Sequence, residues 1–218
     1  MTTPRDQVLE LISSGKITAA EGDELLKALN TQRPSSWKLL INPFEKLNVL
    51  TALGLGVFGA VLGIALSRWS IRFDGALDVH IAPDVVPWRQ AIIDQVVAWP
   101  LVAMILWGIA FLFARQGRLP DFLGYVGTAR LPLLVVGFVA GAMKSQLPTA
   151  PGDVGSPPPI ALLVLVAATL PALVWAVAML FQGYKTASGL RGAKCAFSFT
   201  FAIILAELLS KVAFHFIT

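Results

Sequence analysis

The sequence predicts an all-α integral membrane protein, in which a bundle of five transmembrane helices follows a small helical hairpin. Of its 218 residues, 56% are hydrophobic and only 14% are charged, whereas soluble domains usually carry about 25% charged residues. Residues 1–46 are polar overall, and the rest of the chain contains five apolar segments near the roughly 20 residues that a bilayer requires. These predicted spans cover residues 47–67, 91–114, 131–147, 159–181 and 197–217.

Residues 1–30 are predicted to form two short helices outside the membrane. Pro4 suits the first position of a helix, and Gly15 can end that helix. Thr18 and Glu21 have the spacing of a capping box, which begins the second helix. Two short helices bury little surface alone. We therefore expect residues 3–30 to dock on a protein partner, on a second copy of the chain, or on the membrane domain.

Residues 31–46 connect this hairpin to the membrane domain. The first six are a polar linker, and the remainder mixes Trp37, Phe44 and leucines with Lys38 and Glu45. This mixture predicts a short amphipathic segment at the lipid headgroups.

Basic residues indicate the orientation of the chain. Arginine and lysine occur in segments 115–130 and 182–196, while segment 148–158 contains neither. Because basic loops stay on the cytoplasmic side, we expect a cytoplasmic N-terminus and a C-terminus outside. The net charge of +4 then reflects topology, so no nucleic-acid partner is expected. Segment 68–90 is an exception, with three arginines accompanied by three aspartates.

Segment 68–90 also contains alternating apolar residues. A turn over residues 74–76 would pair Phe73 with Leu77 and Ile71 with Val79, and all the apolar groups would then share one face. The pattern predicts a β-hairpin on the outer membrane surface, and an irregular amphipathic loop is the alternative.

Ionisable residues inside the predicted spans are the first candidate site. Glu207, Lys211 and His215 are four residues apart and share a helix face. Lys144 and Asp94 fall at a similar depth, in the outer half of the bilayer. One interpretation is a Glu207–Lys211 pair facing the interior, with the other two snorkelling to the interface. Another is a polar cavity that binds a lipid headgroup or relays protons, and a third is a charged face for a partner.

Small residues predict close helix packing. Gly59 and Gly63 are four apart in the first span, as are Gly137 and Gly141 in the third. Such pairs let helix backbones approach closely in lipid. The contact is expected within the chain, or alternatively between the subunits of a homo-oligomer.

The two basic segments are the second candidate site. Their basic residues serve topology, and the functional alternative is a shared cytoplasmic surface for a protein partner or an anionic lipid. The residues concerned are Asp121, Tyr125, Tyr184, Lys185 and Arg191.

Enzyme signatures are weak in the sequence. It contains no HExxH, GxSxG or P-loop pattern. The single cysteine, Cys195, excludes an internal disulfide and a cysteine-based metal cluster. We expect no catalytic residues, no metal and no cofactor.

Two stretches carry family resemblances. The runs "FLGYVGTARLPLLV" and "VWAVAMLFQGYKTASGLRGAKCAFSFTFAIIL" resemble the Yip family of Ypt-interacting membrane proteins, over residues 44–217. The resemblance implies a five-span membrane protein, whose eukaryotic relatives associate with prenylated small GTPases. The acidic and tyrosine-containing motif of those relatives is represented by Asp121, Phe122, Gly124 and Tyr125.

The stretch "VLELISSGKITAAEGDELLKAL" resembles the SHOCT-like two-helix module of bacterial envelope proteins. The matching residues are Gly15, Lys16, Ile17, Thr18, Glu21, Leu25 and Leu26. This resemblance implies an interaction or oligomerisation element and a bacterial cytoplasmic membrane. The expected function is a non-enzymatic membrane scaffold or adaptor. The alternative is a lipid or ion transporter that uses the polar site within the membrane.

Overall fold

The structure is a computed structural model, which describes residues 4–31, 36–146 and 160–217. The chain divides into two units, Met1–Leu40 and Ile41–Thr218. It is almost entirely helical, as predicted, and its larger unit carries five helices long and apolar enough to cross a membrane.

The N-terminal unit contains the two predicted helices, α1 (Pro4–Ser13) and α2 (Ala19–Thr31), followed by α3 (Ser36–Ile41). The capping box at the start of α2 is formed. The Thr18 amide donates to Glu21 Oε2 at 2.7 Å, and the Glu21 amide donates to Thr18 Oγ1 at 3.3 Å. These are the two reciprocal hydrogen bonds of a capping box. Gly15 follows α1 with a φ of +70°, a left-handed conformation that glycine adopts without strain.

The larger unit begins with a 3₁₀ turn, Pro43–Glu45, and continues with the helices of the bundle. These are α4 (Val49–Leu66), α5 (Trp88–Ala114), α6 (Leu119–Ala129), α7 (Leu131–Met143), α8 (Ile160–Ser188) and α9 (Gly192–Ile217). The helices α6 and α7 follow each other directly and form one candidate span, Leu119–Met143. Large apolar side chains such as Leu50, Leu112 and Phe216 are exposed on the bundle, which suits contact with lipid.

The third span differs most from its prediction. It begins at Leu119 instead of residue 131, so that most of the predicted loop 115–130 is helical. Pro120 lies in the first turn of α6, where its missing amide hydrogen costs nothing. The glycines in this stretch made it resemble a loop, but they serve to bring α6 against α4. The other four spans lie within a few residues of their predicted positions, apart from an extension of α8 to Ser188.

Small residues allow α4 and α6 to pack closely. A Cβ placed on Gly127 would lie 2.7 Å from Gly56 Cα, and one on Gly124 would lie 2.9 Å from Ala52 Cβ. The Thr128 hydroxyl adds a hydrogen bond to the Ala52 carbonyl at 3.1 Å. Backbone contact at this distance gains dispersion energy that lipid cannot supply.

The four predicted packing glycines lie inside the bundle, in two different roles. Gly59 and Gly63 lie on α4 against Leu131 and Gln95. Gly137 and Gly141 make room mainly for the side chains of Phe73 and Trp69, which belong to the connection between α4 and α5. Gly137 also lies against Leu66 of α4.

That connection contains the predicted β-hairpin, in a different register and a different place. Strands β1 (Ile71–Arg72) and β2 (His80–Ile81) pair Ile71 with Ile81, instead of with Val79. The two-residue shift keeps the paired residues Ile71 and Ile81 on one face and lengthens the loop. Ile71, Phe73 and Ala76 are each at most 3% exposed, so the hairpin segment packs into the bundle.

Candidate functional site

The hairpin loop brings non-helical backbone into the bundle, where its polar groups need partners. Backbone of this kind is tolerated at membrane depth only when the protein itself supplies the hydrogen bonds. Arg130 Nη2 donates to the Phe73 carbonyl at 3.2 Å. Glu207 Oε2 accepts the amides of Ala76 and Leu77 at 3.1 and 3.4 Å. The two charged side chains therefore satisfy one carbonyl and two amides of the loop.

Gly75 makes the contact with Glu207 possible. A Cβ at this position would lie 2.8 Å from Glu207 Oε1 and 2.8 Å from Asp78 Cβ. Only glycine leaves the carboxylate free to reach the amides at the loop tip.

On one side of the hairpin, Arg72 forms a two-pronged ion pair with Asp94 of α5. Arg72 Nε donates to Asp94 Oδ2 at 2.9 Å, and one terminal nitrogen donates to Oδ1 at 2.8 Å. Gln90 donates to Oδ1 at 2.8 Å as well. Asp94 is only 2% exposed, so its charge depends on these donors. The hydrogen bond to Asp94 raises the pKa of Arg72 above its usual value, against the opposing effect of burial.

On the other side, Lys211 of α9 joins three carboxylates. Its ammonium contacts the Asp78 carboxylate directly and lies 3.6 Å from Asp74 Oδ1 and 3.9 Å from Glu207 Oε1. Arg72 reaches Asp74 Oδ2 at 3.8 Å. The two ion-pair groups are thus connected through Asp74 in one charged network, defined here as Arg72, Asp74, Asp78, His80, Asp94, Glu207 and Lys211.

His80 closes the network at its more exposed edge. Its Nδ1 lies 3.4 Å from Asp78 Oδ1 and 3.5 Å from Asp74 Oδ1. The hydrogen bond with Asp78 is the largest cause of a raised pKa for His80, and the same contact holds the pKa of Asp78 well below its usual range. The ligand atoms of Asp74, Asp78 and His80 lie within 4.8 Å of one another, close enough to hold a cation. The Lys211 ammonium already lies against both carboxylates.

The five ionisable residues predicted within the membrane do not form one cluster in the structure. Glu207 and Lys211 are neighbours, as their spacing indicates. Asp94 does not snorkel, because Arg72 binds it inside the bundle. Lys144 donates to the hydroxyl of Ser70 at 2.6 Å, beside the hairpin. In the part of the chain that the structure describes, exposed His215 forms no ion pair and lies against the ring of Phe216.

The sequence did not indicate that the hairpin supplies the charged partners of Asp94 and Lys211. Arg72, Asp74, Asp78 and His80 all belong to it, and the matched arginines and aspartates of segment 68–90 were the available signal. Arg130 was assigned to the end of a loop. It lies instead near the middle of the span Leu119–Met143.

The predicted partner surface on the basic segments is divided by the structure. Tyr125 packs on Phe44 with ring centroids 4.5 Å apart, and Tyr184 is 1% exposed, so both rings belong to the core. Asp121 is half-buried and pairs with Arg118 at 3.3 Å. Only Lys185 and Arg191 are exposed, where they line a recess described below.

A small cavity adjoins the buried guanidinium of Arg130. Its volume is about 10 Å³, and Gly56, Gln95 and Trp99 contribute to its walls. Arg130 Nη1 is buried without a hydrogen-bond partner. Space of this size suits about one water molecule, which could hydrate that nitrogen.

The fold and the site define the class of this chain: a multi-pass α-helical membrane protein with a hairpin packed into its helix bundle. Residues 4–33 match the family of SHOCT-like domains, which agrees with the resemblance of the N-terminal helices. No curated protein and no solved structure matches the chain. None of these comparisons identifies the Yip family.

Proposed function

We propose that this protein is a non-enzymatic membrane scaffold of the Yip type, which recruits a protein partner or a second copy of itself through its SHOCT-like unit. The observation that carries the proposal is that charged side chains of the predicted spans bind the hairpin. Arg130 and Glu207 complete the backbone of the hairpin, and Asp94 and Lys211 are bound to hairpin side chains. In this proposal these charges stabilise the bundle and leave little polar capacity for a cargo.

The SHOCT-like unit supports the recruiting role. Its two helices bury Val8, yet Leu9 and Leu25 remain 47% and 43% exposed. Exposed leucines on a two-helix unit provide apolar surface for a partner. In this proposal the unit lies in the cytoplasm and the bundle in a bacterial cytoplasmic membrane, with the C-terminus outside.

Site-specific photo-crosslinking in living cells tests the recruiting role. A photoreactive residue at Leu9 or Leu25 should give the same discrete protein adduct, and one at exposed Lys16 in the intervening turn serves as the matched control. An adduct of twice the chain mass would assign self-association, and a different mass would assign a separate partner. Equal adducts at Lys16, or none at the two leucines, would contradict the proposal.

A lipid or ion transporter is the second candidate, because the charged network is open at one edge. The side chains of His80 and Lys211 are 41% and 47% exposed, so an ion could reach the network. Flux through vesicles containing the E207Q/K211M variant separates the two functions. A transporter would lose its flux, whereas a scaffold should keep its crosslinks at Leu9 and Leu25.

A further inference from the structure

A recess of about 230 Å³ lies at the end of the bundle opposite the hairpin. It is enclosed by the 3₁₀ turn Pro43–Glu45, the last turns of α8 and the connection into α9. Its lining residues are mainly polar or charged: Asn42, Glu45, Gln182, Lys185, Thr186 and Arg191, with Gly189 and Leu190.

Packing fixes the 3₁₀ turn against α8. Phe44 is 3% exposed, and its ring lies against the Tyr125 ring in a tilted arrangement. It passes over Gly183, where an added Cβ would lie 3.2 Å from Phe44 Cε2. Asn42 and Glu45 flank this anchored region and are held at the rim of the recess. After α8 ends at Ser188, Gly189 turns the chain with a φ of +67°, which leads Arg191 to the same recess.

The charges of the recess differ from those of the hairpin network. Within the described residues, neither Lys185 nor Arg191 forms an ion pair, and both are exposed. Glu45 Oε1 accepts a hydrogen bond from Asn42 Nδ2 at 2.8 Å. Asn42 Oδ1 is buried and has no hydrogen-bond partner. The recess therefore presents two cations without ion pairs and one carboxylate.

We propose that this recess binds a phospholipid headgroup that carries both a phosphate and a primary ammonium, as in phosphatidylethanolamine. The phosphate would bind Lys185 and Arg191, which provide charge-assisted donors. The ammonium would donate to the Glu45 carboxylate. The recess lies where the span Ile160–Ser188 ends and the span Gly192–Phe216 begins, which is the level of lipid headgroups.

The mixed lining favours one class of lipid over two common alternatives. A trimethylammonium headgroup has no N–H to donate, so it cannot hydrogen-bond to the Glu45 carboxylate. A phosphoglycerol headgroup brings only negative charge and hydroxyls, and the Glu45 carboxylate would repel that charge. The predicted order of affinity is therefore phosphatidylethanolamine, then phosphatidylglycerol, then phosphatidylcholine.

Native mass spectrometry of the detergent-purified full chain can measure this order, with one lipid class added at a time. The K185M/R191M variant should bind phosphatidylethanolamine and phosphatidylglycerol on the order of tenfold more weakly, since each basic group near a headgroup contributes substantially. K194M is the matched control, because Lys194 is an exposed base nearby that does not line the recess, and it should keep the original affinities.

The E45Q variant tests the ammonium contact separately. It should reduce the several-fold preference for phosphatidylethanolamine over phosphatidylglycerol to near unity, without weakening phosphatidylglycerol. Equal binding of phosphatidylcholine and phosphatidylethanolamine by the unaltered protein would overturn the proposal, as would a loss in K194M equal to that in K185M/R191M. Displacement of the lipid by soluble phosphoethanolamine would assign the recess to a free phosphate ester instead. Unchanged melting temperatures would show that the variants remain folded.

Discussion

The carboxylate of Glu207 accepts a hydrogen bond from the backbone amide of Ala76 at 3.1 Å, across 131 residues of sequence. This contact joins α9 to the tip of the hairpin that packs into the bundle. It also explains why an acidic residue is tolerated in an apolar helix. The charged acceptor satisfies two backbone donors of a loop that packs among the helices.

Glu207→Ala should destabilise the protein by about 1–2 kcal/mol, because it removes a charged acceptor from two amides of the loop. The loss is no larger because Glu207 is itself partly solvated. The loss should be local to the loop tip. Hydrogen exchange should accelerate at the amides of Ala76 and Leu77, and thermal unfolding in detergent should shift downward.

The matched control is Leu208→Ala, one residue further along α9, which is 61% exposed on the bundle surface. It should leave exchange at the loop tip unchanged. Equal protection of the Ala76 amide in the unaltered protein and in Glu207→Ala would show that the contact does not hold the hairpin.

The Arg72–Asp94 pair should behave as a coupled unit. Replacing Arg72 by Met leaves the Asp94 carboxylate, 2% exposed, without its main donor, and should cost about 3 kcal/mol or more. Replacing Asp94 by Leu strands the more exposed guanidinium and should cost somewhat less. The double variant R72M/D94L should be less destabilised than the sum of the two single variants.

Denaturant unfolding of the four proteins gives the coupling energy directly. Additive losses would mean that the two-pronged contact has no net value in the folded protein. K46M provides a reference for removing an exposed basic residue outside the network.

The elements that could be predicted from the sequence are those that depend on local periodicity. Apolar length located the spans, the Thr18–Glu21 spacing located the start of α2, and alternation located the strands of the hairpin. The side-chain faces of the hairpin were correct as well, because a register shift of two preserves them.

The position of the hairpin and the length of the third span could not be read in this way. Both depend on contacts between distant residues. Burial of the hairpin requires the space left by Gly137 and the partners supplied by Arg130 and Glu207. A glycine-rich stretch such as 124–127 is ambiguous alone, and only the proximity of Gly56 makes it helical packing surface instead of a loop.

The network should make stability depend on pH near neutrality. The pKa of His80 is raised by Asp78, with Asp74 adding to the effect and Arg72 opposing it. A raised pKa in the folded state contributes stability that is fully present below the unfolded value near 6.5, and that is lost as pH rises through the folded value. The melting temperature should therefore fall as pH increases from 6 to 9.

His80→Gln should remove this slope, whose size is limited to about 0.5–1 kcal/mol because the ring is partly solvated. His215→Gln is a well-matched control, since the chain has two histidines and His215 lies outside the network. A pH dependence of the melting temperature that persists in His80→Gln and disappears in His215→Gln would contradict the prediction, because it would arise from His215. In acid, the lowered pKa of Asp78 predicts that stability also decreases once the pH falls below 3.8, the usual pKa of this carboxyl group.

The packing of α4 on α6 should be unusually sensitive to a single methyl group. An added Cβ at Gly127 would lie 2.7 Å from Gly56 Cα and 2.8 Å from the Trp99 ring, so Gly127→Ala must separate the helices. Overpacking of this kind costs about 1–3 kcal/mol, even though alanine favours a helix by about 1 kcal/mol over glycine.

The control is Gly108→Ala on α5, where no atom lies within 4 Å of the added Cβ. This variant should melt at or above the temperature of the unaltered protein, whereas Gly127→Ala should melt below it. Similar melting temperatures for the two variants would mean that the α4–α6 crossing is looser than the structure shows.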